Sequence, residues 1–259
     1  MVIDSHVHFN PQEGFVTDLL KECDALGIDK VCLIGSPREL KGAVAESPDR
    51  IIGLAMLRLG YDAPTVVDDL KEQGIPGIKI ISPRYNYDDE RNFPIYERAQ
   101  AYGMPMLFHL GIVMRTDIDY ALDKNSNRMR PIYLDYIARC FPKLKIIGAH
   151  LGNPWYEEAS MSARWNSNLW FDLSGSTLKK KTAAFLRSLL WWDKPGHPYQ
   201  AHGGKHPFEK IVFGTDVAIE WMADVMNDYK RILEEMEVPE EYQKKIFGET
   251  AAGIFGIGD

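Results

Sequence analysis

Eight short apolar runs, separated by stretches of helical periodicity, constrain this chain more than any other feature. They are VIDSHVHF at 2–9, KVCLIGS from 30, IIGLAML from 51, GIKIIS from 77, MPMLFHLG from 104, LKIIGAHLG from 144, LWFDLSG from 169 and KIVFGTDV from 210. Several are apolar at consecutive positions, as expected of parallel strands covered on both faces. Between them, Phe15, Leu19, Cys23 and Leu26 form one stripe, with Gly27 where that helix should end. Segment 64–73 opens with Pro64 and stops at Gly74, segment 130–141 places Ile132, Tyr136, Ile137 and Cys140 on one face, and segment 220–247 is interrupted at Pro239. Alternating strands and helices imply βαβ units, and eight repeats favour closure into a (β/α)8 TIM barrel over an open sheet. No charge run, low-complexity stretch or Gly/Ser linker marks a boundary, so residues 1–259 read as a single barrel domain.

Two connections are long, 111–128 after the fifth run and 175–209 after the seventh. Loops of that length in a compact domain are usually lids or site walls. The formal net charge of −7 argues against nucleic acid as a partner, because phosphate binding rests on clustered Lys and Arg. The apolar runs are far too short to span a bilayer, and MVIDSHVHF lacks the cationic start of a secretory signal. Three cysteines, Cys23, Cys32 and Cys140, have no paired spacing and read as buried, inert thiols of a cytoplasmic protein.

Barrel sites form at the C-terminal ends of the strands, so the polar residues that close the runs carry the functional argument. His6 and His8 end the first run, and their i, i+2 spacing puts both imidazoles on one strand face. His109 ends the fifth, His150 the sixth and Asp216 the eighth; Lys79 lies within the fourth and Asp172 within the seventh. A lone strand histidine is most often a satisfied core residue. Several imidazoles converging with a carboxylate at one mouth of a barrel instead make a site for zinc or a similar ion.

The HVH triplet, His109, His150 and the TD of the eighth run together resemble the amidohydrolase superfamily, within it the "amidohydrolase 2" branch. The similarity runs from SHVHF through GIKII and AHLG to FGTD and the closing GETAAGIFG. The resemblance implies His6, His8, His109 and Asp216 as metal ligands, with His150 left to act as acid or base on metal-bound water. It implies one divalent ion, Zn2+ first and Mn2+ as the alternative. It also implies a small, carboxylated substrate and, from the dimers common in the branch, a homodimer.

Two reactions suit such a site. In hydrolysis of a lactone or cyclic amide, Asp216 takes the water proton and His150 protonates the leaving group. The alternative is non-oxidative decarboxylation of an aromatic or unsaturated acid, with the metal orienting carboxylate and hydroxyl. Of the two, hydrolysis is the first expectation. Lys79 is weighed as an anion-binding or site-wall amine, a structural ion pair or a carbamate bridging two metals. Arg115 and Trp155 are candidate substrate contacts, and Arg84, Arg128 and Arg130 are further cations on the same side. Asp172 is a candidate for holding a ligand imidazole in one tautomer, or else a partner for backbone. His197, His202 and His206 read as exposed loop histidines, and Trp191 and Trp192 as packing residues.

Overall fold

A computed structural model describes residues 1–113, 124–192 and 206–258. Its strands are β1 Ile3–His8, β2 Lys30–Gly35, β3 Ile51–Leu57, β4 Gly77–Ile80, β5 Met106–Phe108, β6 Ile146–Gly148, β7 Leu169–Asp172 and β8 Ile211–Val212. All eight expected runs are strands, each paired in parallel with the next in sequence. Between β8 and β1 the barrel is nearly closed by the Ser5 N–H bond to the Phe213 carbonyl, 2.9 Å, and by the Asp216 N–H bond to the His6 carbonyl, 2.7 Å.

Strand alternation sorts the side chains into two cores. Cys32, Ile34, Leu54, Leu107, Ile147 and Val212 form the inner cluster, closed at the N-terminal end by Ala251 and Ile254 of the helix Thr250–Phe255. Their strand neighbours, such as Leu33, Ala55 and Phe108, face outward and pack on the helices through residues such as Leu19, Leu70 and Ile137. The Lys145 ammonium donates to the Gly253 and Ile254 carbonyls at 2.8 and 2.7 Å, satisfying main-chain acceptors that the end of the C-terminal helix leaves open. Among the described residues, no helix is long and apolar enough to cross a membrane.

The long stretch after β7 is not a plain loop. It contains the helices Ser176–Lys180 and Ala183–Leu190, followed by Trp192, which is buried and donates from Nε1 to Ser160 Oγ at 3.1 Å. Of the stretch after β5, the described part holds a short 3-10 turn at Ser126–Met129. The expectation for Cys140 is corrected: Cys23 and Cys32 are buried, but Cys140 is exposed. The helix Ile132–Cys140 is apolar on two sides, and it buries Leu134, Ile137 and Ala138 while Ile132 and Tyr136 stay exposed. An i, i+4, i+8 stripe alone does not say which of two apolar faces meets the barrel.

Packing is tight where β6 meets β7. A Cβ on Gly148 would stand 2.5 Å from Phe171 Cε1 and 2.6 Å from Leu110 Cδ1. Gly148→Ala is expected to lose about 1–3 kcal/mol by overpacking, read from urea unfolding. Wild-type stability in that variant would contradict the close approach.

Candidate metal centre

The site begins with a distortion in β1. Its register with β2 shifts between Asp4 and Val7, and His6 within that interval and His8 after it both approach Asp216 at the barrel mouth. Asp4, fully buried, holds the shifted segment. One of its oxygens accepts the His6 and Thr215 N–H groups, both at 3.0 Å, and the other accepts the Thr215 hydroxyl at 2.6 Å. Burial outweighs these bonds and pushes its carboxyl up to about 6. Asp4 thereby ties the histidine-bearing end of β1 to the residue that precedes Asp216.

His6 Nδ1 lies 2.9 Å from Asp172 Oδ2. Pairing with that carboxylate assigns the imidazole proton to Nδ1 and leaves the Nε2 lone pair directed into the mouth. The other Asp172 oxygen accepts the His150 N–H at 2.8 Å, the Ser174 N–H at 3.0 Å and the Ser174 hydroxyl at 2.5 Å. Having given its proton to Asp172, the Ser174 hydroxyl accepts from His150 Nδ1 at 2.8 Å. His150 Nε2 is therefore also a lone pair facing the mouth. Burial works against the Asp172 charge, yet interaction with the His6 and His150 imidazoles and the Ser174 bond hold this carboxyl well below the usual range.

Asp216 faces both groups. Its Oδ1 is 3.4 Å from His6 Nε2 and 3.4 Å from His8 Nε2, while its Oδ2 is 3.5 Å from His150 Nε2. Among the described residues, donor atoms of His6, His8 and Asp216 lie within 4.8 Å of one another, a spacing suited to a shared cation. His109 follows β5, its ring 5.0 Å from that of His150, and its Nε2 is buried without a hydrogen-bond partner. A buried polar atom left unpaired is costly, and an absent ligand is an ordinary explanation.

The charge states suit a cation. Although 42% of the His8 side chain is exposed, its partial desolvation at the mouth, reinforced by the neighbouring Lys79 and His6, lowers its imidazole below the ordinary value. Burial also holds His109 well below its ordinary value and lowers His150. For Asp216 burial opposes the charge, but electrostatic interaction with the facing His6 and His150 imidazoles and with Lys79 outweighs it and the carboxyl falls. Neutral imidazoles with an ionised carboxylate are the states that bind a metal. The backbone is strained here as well. His150, Leu151 and Asp216 have φ of 60°, 45° and 49°, each costing about 1–3 kcal/mol in a residue other than Gly.

Lys79 is fully buried in β4 and donates from Nζ to His6 Nε2 at 2.9 Å, and burial lowers its ammonium to about 8. Its nitrogen faces the site and occupies the His6 lone pair that a bound cation would take. Trp155 caps the helix Tyr156–Trp165, lies 5.3 Å from the Arg130 guanidinium and lines a cleft with Tyr156, Lys181 and Phe185, apart from the one beside Asp216. Arg130 is paired with Glu158. His206 caps the turn Pro207–Lys210 and stacks on Tyr242 at 4.1 Å, which is structural work. Arg115, His197 and His202 lie outside the described residues. The sequence reasoning passed over Asp4, Ser174 and Thr215, although each stands within two residues of a residue it did single out.

The Asp172 bond supports a direct test. In Asp172→Asn the amide oxygen keeps the three donors of Asp172 Oδ1, so its NH2 meets His6 Nδ1 and forces the imidazole proton to Nε2. Metal affinity, measured by chelator competition, should fall about 10–100-fold with the fold intact. Unchanged affinity would show that Asp172 does not set the tautomer.

No curated protein matches the chain significantly. Solved structures match over their full length. An uncharacterized TIM-barrel protein from Bordetella bronchiseptica aligns with a TM-score of 0.71 at 16% identity, covering 98% of each chain. A 2,6-dihydroxybenzoate decarboxylase from Rhizobium aligns with a TM-score of 0.63 at 15% identity, covering 99% of this chain and 98% of that one. A 5-carboxyvanillate decarboxylase from Novosphingobium aromaticivorans, with bound manganese and 3-methoxy-4-hydroxy-5-nitrobenzoic acid, aligns with a TM-score of 0.65 at 17% identity, covering 99% and 97%. At such identities these likenesses establish the fold. The amidohydrolase family model matches residues 3–257, nearly the whole chain, and the protein therefore belongs to the amidohydrolase family.

Proposed function

We propose that this chain is a metal-dependent, non-oxidative decarboxylase of a small carboxylated and hydroxylated ring compound. The observation that carries the metal is the convergence of donor atoms from His6, His8 and Asp216, and the buried, unpartnered His109 Nε2, on a ring that packs against His150, supports a fourth ligand. Those four residues would hold one divalent ion. Three imidazoles and a carboxylate accommodate Zn2+ or Mn2+, and the manganese in a structural neighbour makes Mn2+ the first ion to load. When bound, the ion supplies positive charge that orients a substrate carboxylate and hydroxyl.

The protein side chains manage the proton. Asp216 Oδ2 and His150 Nε2, 3.5 Å apart, can share one proton, the first supplying charge and the second a lone pair. As the substrate binds, this pair takes the hydroxyl proton. It returns that proton to the ring carbon bearing the carboxylate. The carbon–carbon bond then breaks, its electrons return to the ring, and carbon dioxide leaves; the product regains its hydroxyl proton from water. A cleft of about 370 Å³ opens beside His8 and Asp216, with Phe9, Pro11, Phe15, Val217 and Ile219 as apolar walls fit for a flat ring. The decarboxylases among the structural neighbours favour this reaction over hydrolysis.

Hydrolysis of a lactone or cyclic amide remains the second reading, favoured by the amidohydrolase description of the family. There Asp216 takes the water proton and His150 protonates the leaving group. Carboxyl-labelled hydroxybenzoates separate the two. Labelled carbon dioxide from the metal-loaded protein supports decarboxylation; no release across the series, with ring-opened hydroxy acid formed from lactones, supports hydrolysis. In either case His150→Asn should retain metal and lose turnover by roughly 10²–10⁴-fold. Wild-type turnover in that variant would remove His150 from the proton path.

A further inference from the structure

His109 follows a strand of only three residues, Met106–Phe108. Leu107 belongs to the inner cluster, so His109, two residues on, also points into the barrel. The ladder between β4 and β5 reaches it from one side. Ile78 N–H donates to the Pro105 carbonyl at 3.0 Å, and His109 N–H donates to the Ile80 carbonyl at 2.8 Å. Continued in the same alternation, the ladder would bring the Ser82 N–H to the His109 carbonyl. Ser82, however, has a φ of 51°, and the main chain leaves the extended conformation there. The His109 carbonyl accepts instead from the Tyr87 hydroxyl, at 2.7 Å. A phenol from the loop after β4 thus takes the place of a ladder donor.

Tyr87 is itself firmly held. It is fully buried. Its N–H donates to the Arg128 carbonyl at 3.2 Å, and its own carbonyl accepts from the Tyr96 hydroxyl at 2.7 Å and the Asn92 amide at 3.3 Å. Its ring meets Phe108 edge-on, with centroids 5.0 Å apart. Tyr87 therefore grips the side chain of one residue and the carbonyl of the next. Beyond His109, the Gly111 N–H donates to the Met129 carbonyl at 3.2 Å, beside the Arg128 carbonyl that binds Tyr87. The turn Ser126–Met129 joins Tyr87 to the His109 segment a second time. A phenylalanine would pack on Phe108 in the same way, so the work of the hydroxyl is separable from that of the ring.

We propose that Tyr87 is a positioning residue for the metal centre: its hydroxyl fixes the His109 main chain and so aims Nε2 at the cation held by His6, His8 and Asp216. The inference rests on the reading of His109 as a ligand. An imidazole that is already aimed need not be ordered when the ion arrives, which is why groups that orient a ligand affect metal affinity.

Tyr87→Phe keeps the ring and removes only the hydroxyl. Chelator competition should show its Mn2+ affinity lowered by about tenfold or more. Loaded with Co2+, whose visible bands report ligand geometry, the variant should differ in spectrum from the wild type. Ser160→Ala removes another buried hydroxyl–carbonyl bond, 2.8 Å to Leu189 between two outer helices, and should keep wild-type affinity and spectrum. Wild-type values in Tyr87→Phe would overturn the proposal. An equal loss of affinity in Ser160→Ala would overturn it too, because that would mark a general loss of stability. If Tyr87→Phe does not fold, Tyr96→Phe, which loosens the Tyr87 carbonyl, carries the same two readouts, and wild-type values there would count against the role of Tyr87. Metal retained by His109→Ala would remove His109 from the ligand set and the Tyr87 role with it. Metal lost by His109→Ala, with wild-type values in Tyr87→Phe, would remove the Tyr87 role alone.

Discussion

One buried carboxylate organises the mouth of this barrel. Asp172, at the end of β7, gives one oxygen to His6 on β1 and the other to the His150 main chain after β6 and to Ser174. A lone charge in that position would be costly, and burial does oppose it. Four hydrogen bonds and the adjacent imidazoles compensate. The consequence is chemical as well as structural: the same bonds that fix three strand ends also place the His6 proton on Nδ1 and, through Ser174, the His150 proton on Nδ1. Both Nε2 lone pairs then face the same point.

Asp4 does the corresponding work on the opposite side. Between them, Asp4 and Asp172 anchor the segments that bear His6, His8, His150 and Asp216, and the positive φ at His150, Leu151 and Asp216 is maintained by that anchoring. The apolar clusters inside and outside the sheet supply the stability against which such strain is held. Proposed roles divide along the same line. Asp216 Oδ1 lies with the metal donors and Oδ2 with His150, so one carboxylate links cation binding to proton transfer.

The barrel was legible because its signal is periodic. Eight β-branched runs and their intervening amphipathic stripes survive any local ambiguity, and the parallel order followed from the alternation. His6, His8, His150 and Asp216 were legible as polar residues closing apolar strands, a position that poorly suits them without a purpose. Asp4, Ser174 and Thr215 were not, because an Asp, Ser or Thr beside a turn has many bland uses and only the three-dimensional bond pattern shows which donors it serves. Cys140 was misplaced for a related reason: the helix Ile132–Cys140 has two apolar faces, and sequence spacing finds stripes without saying which one is covered.

Metal content is the most direct test of the account. The purified protein, stripped with chelator and reloaded with Mn2+ or Zn2+, should contain about one ion per chain by elemental analysis, and His109→Ala should lose it while keeping the fold. A ratio near two would bring Lys79 into the ligand set. No bound metal after reloading, or full metal content in His109→Ala, would contradict the centre described here.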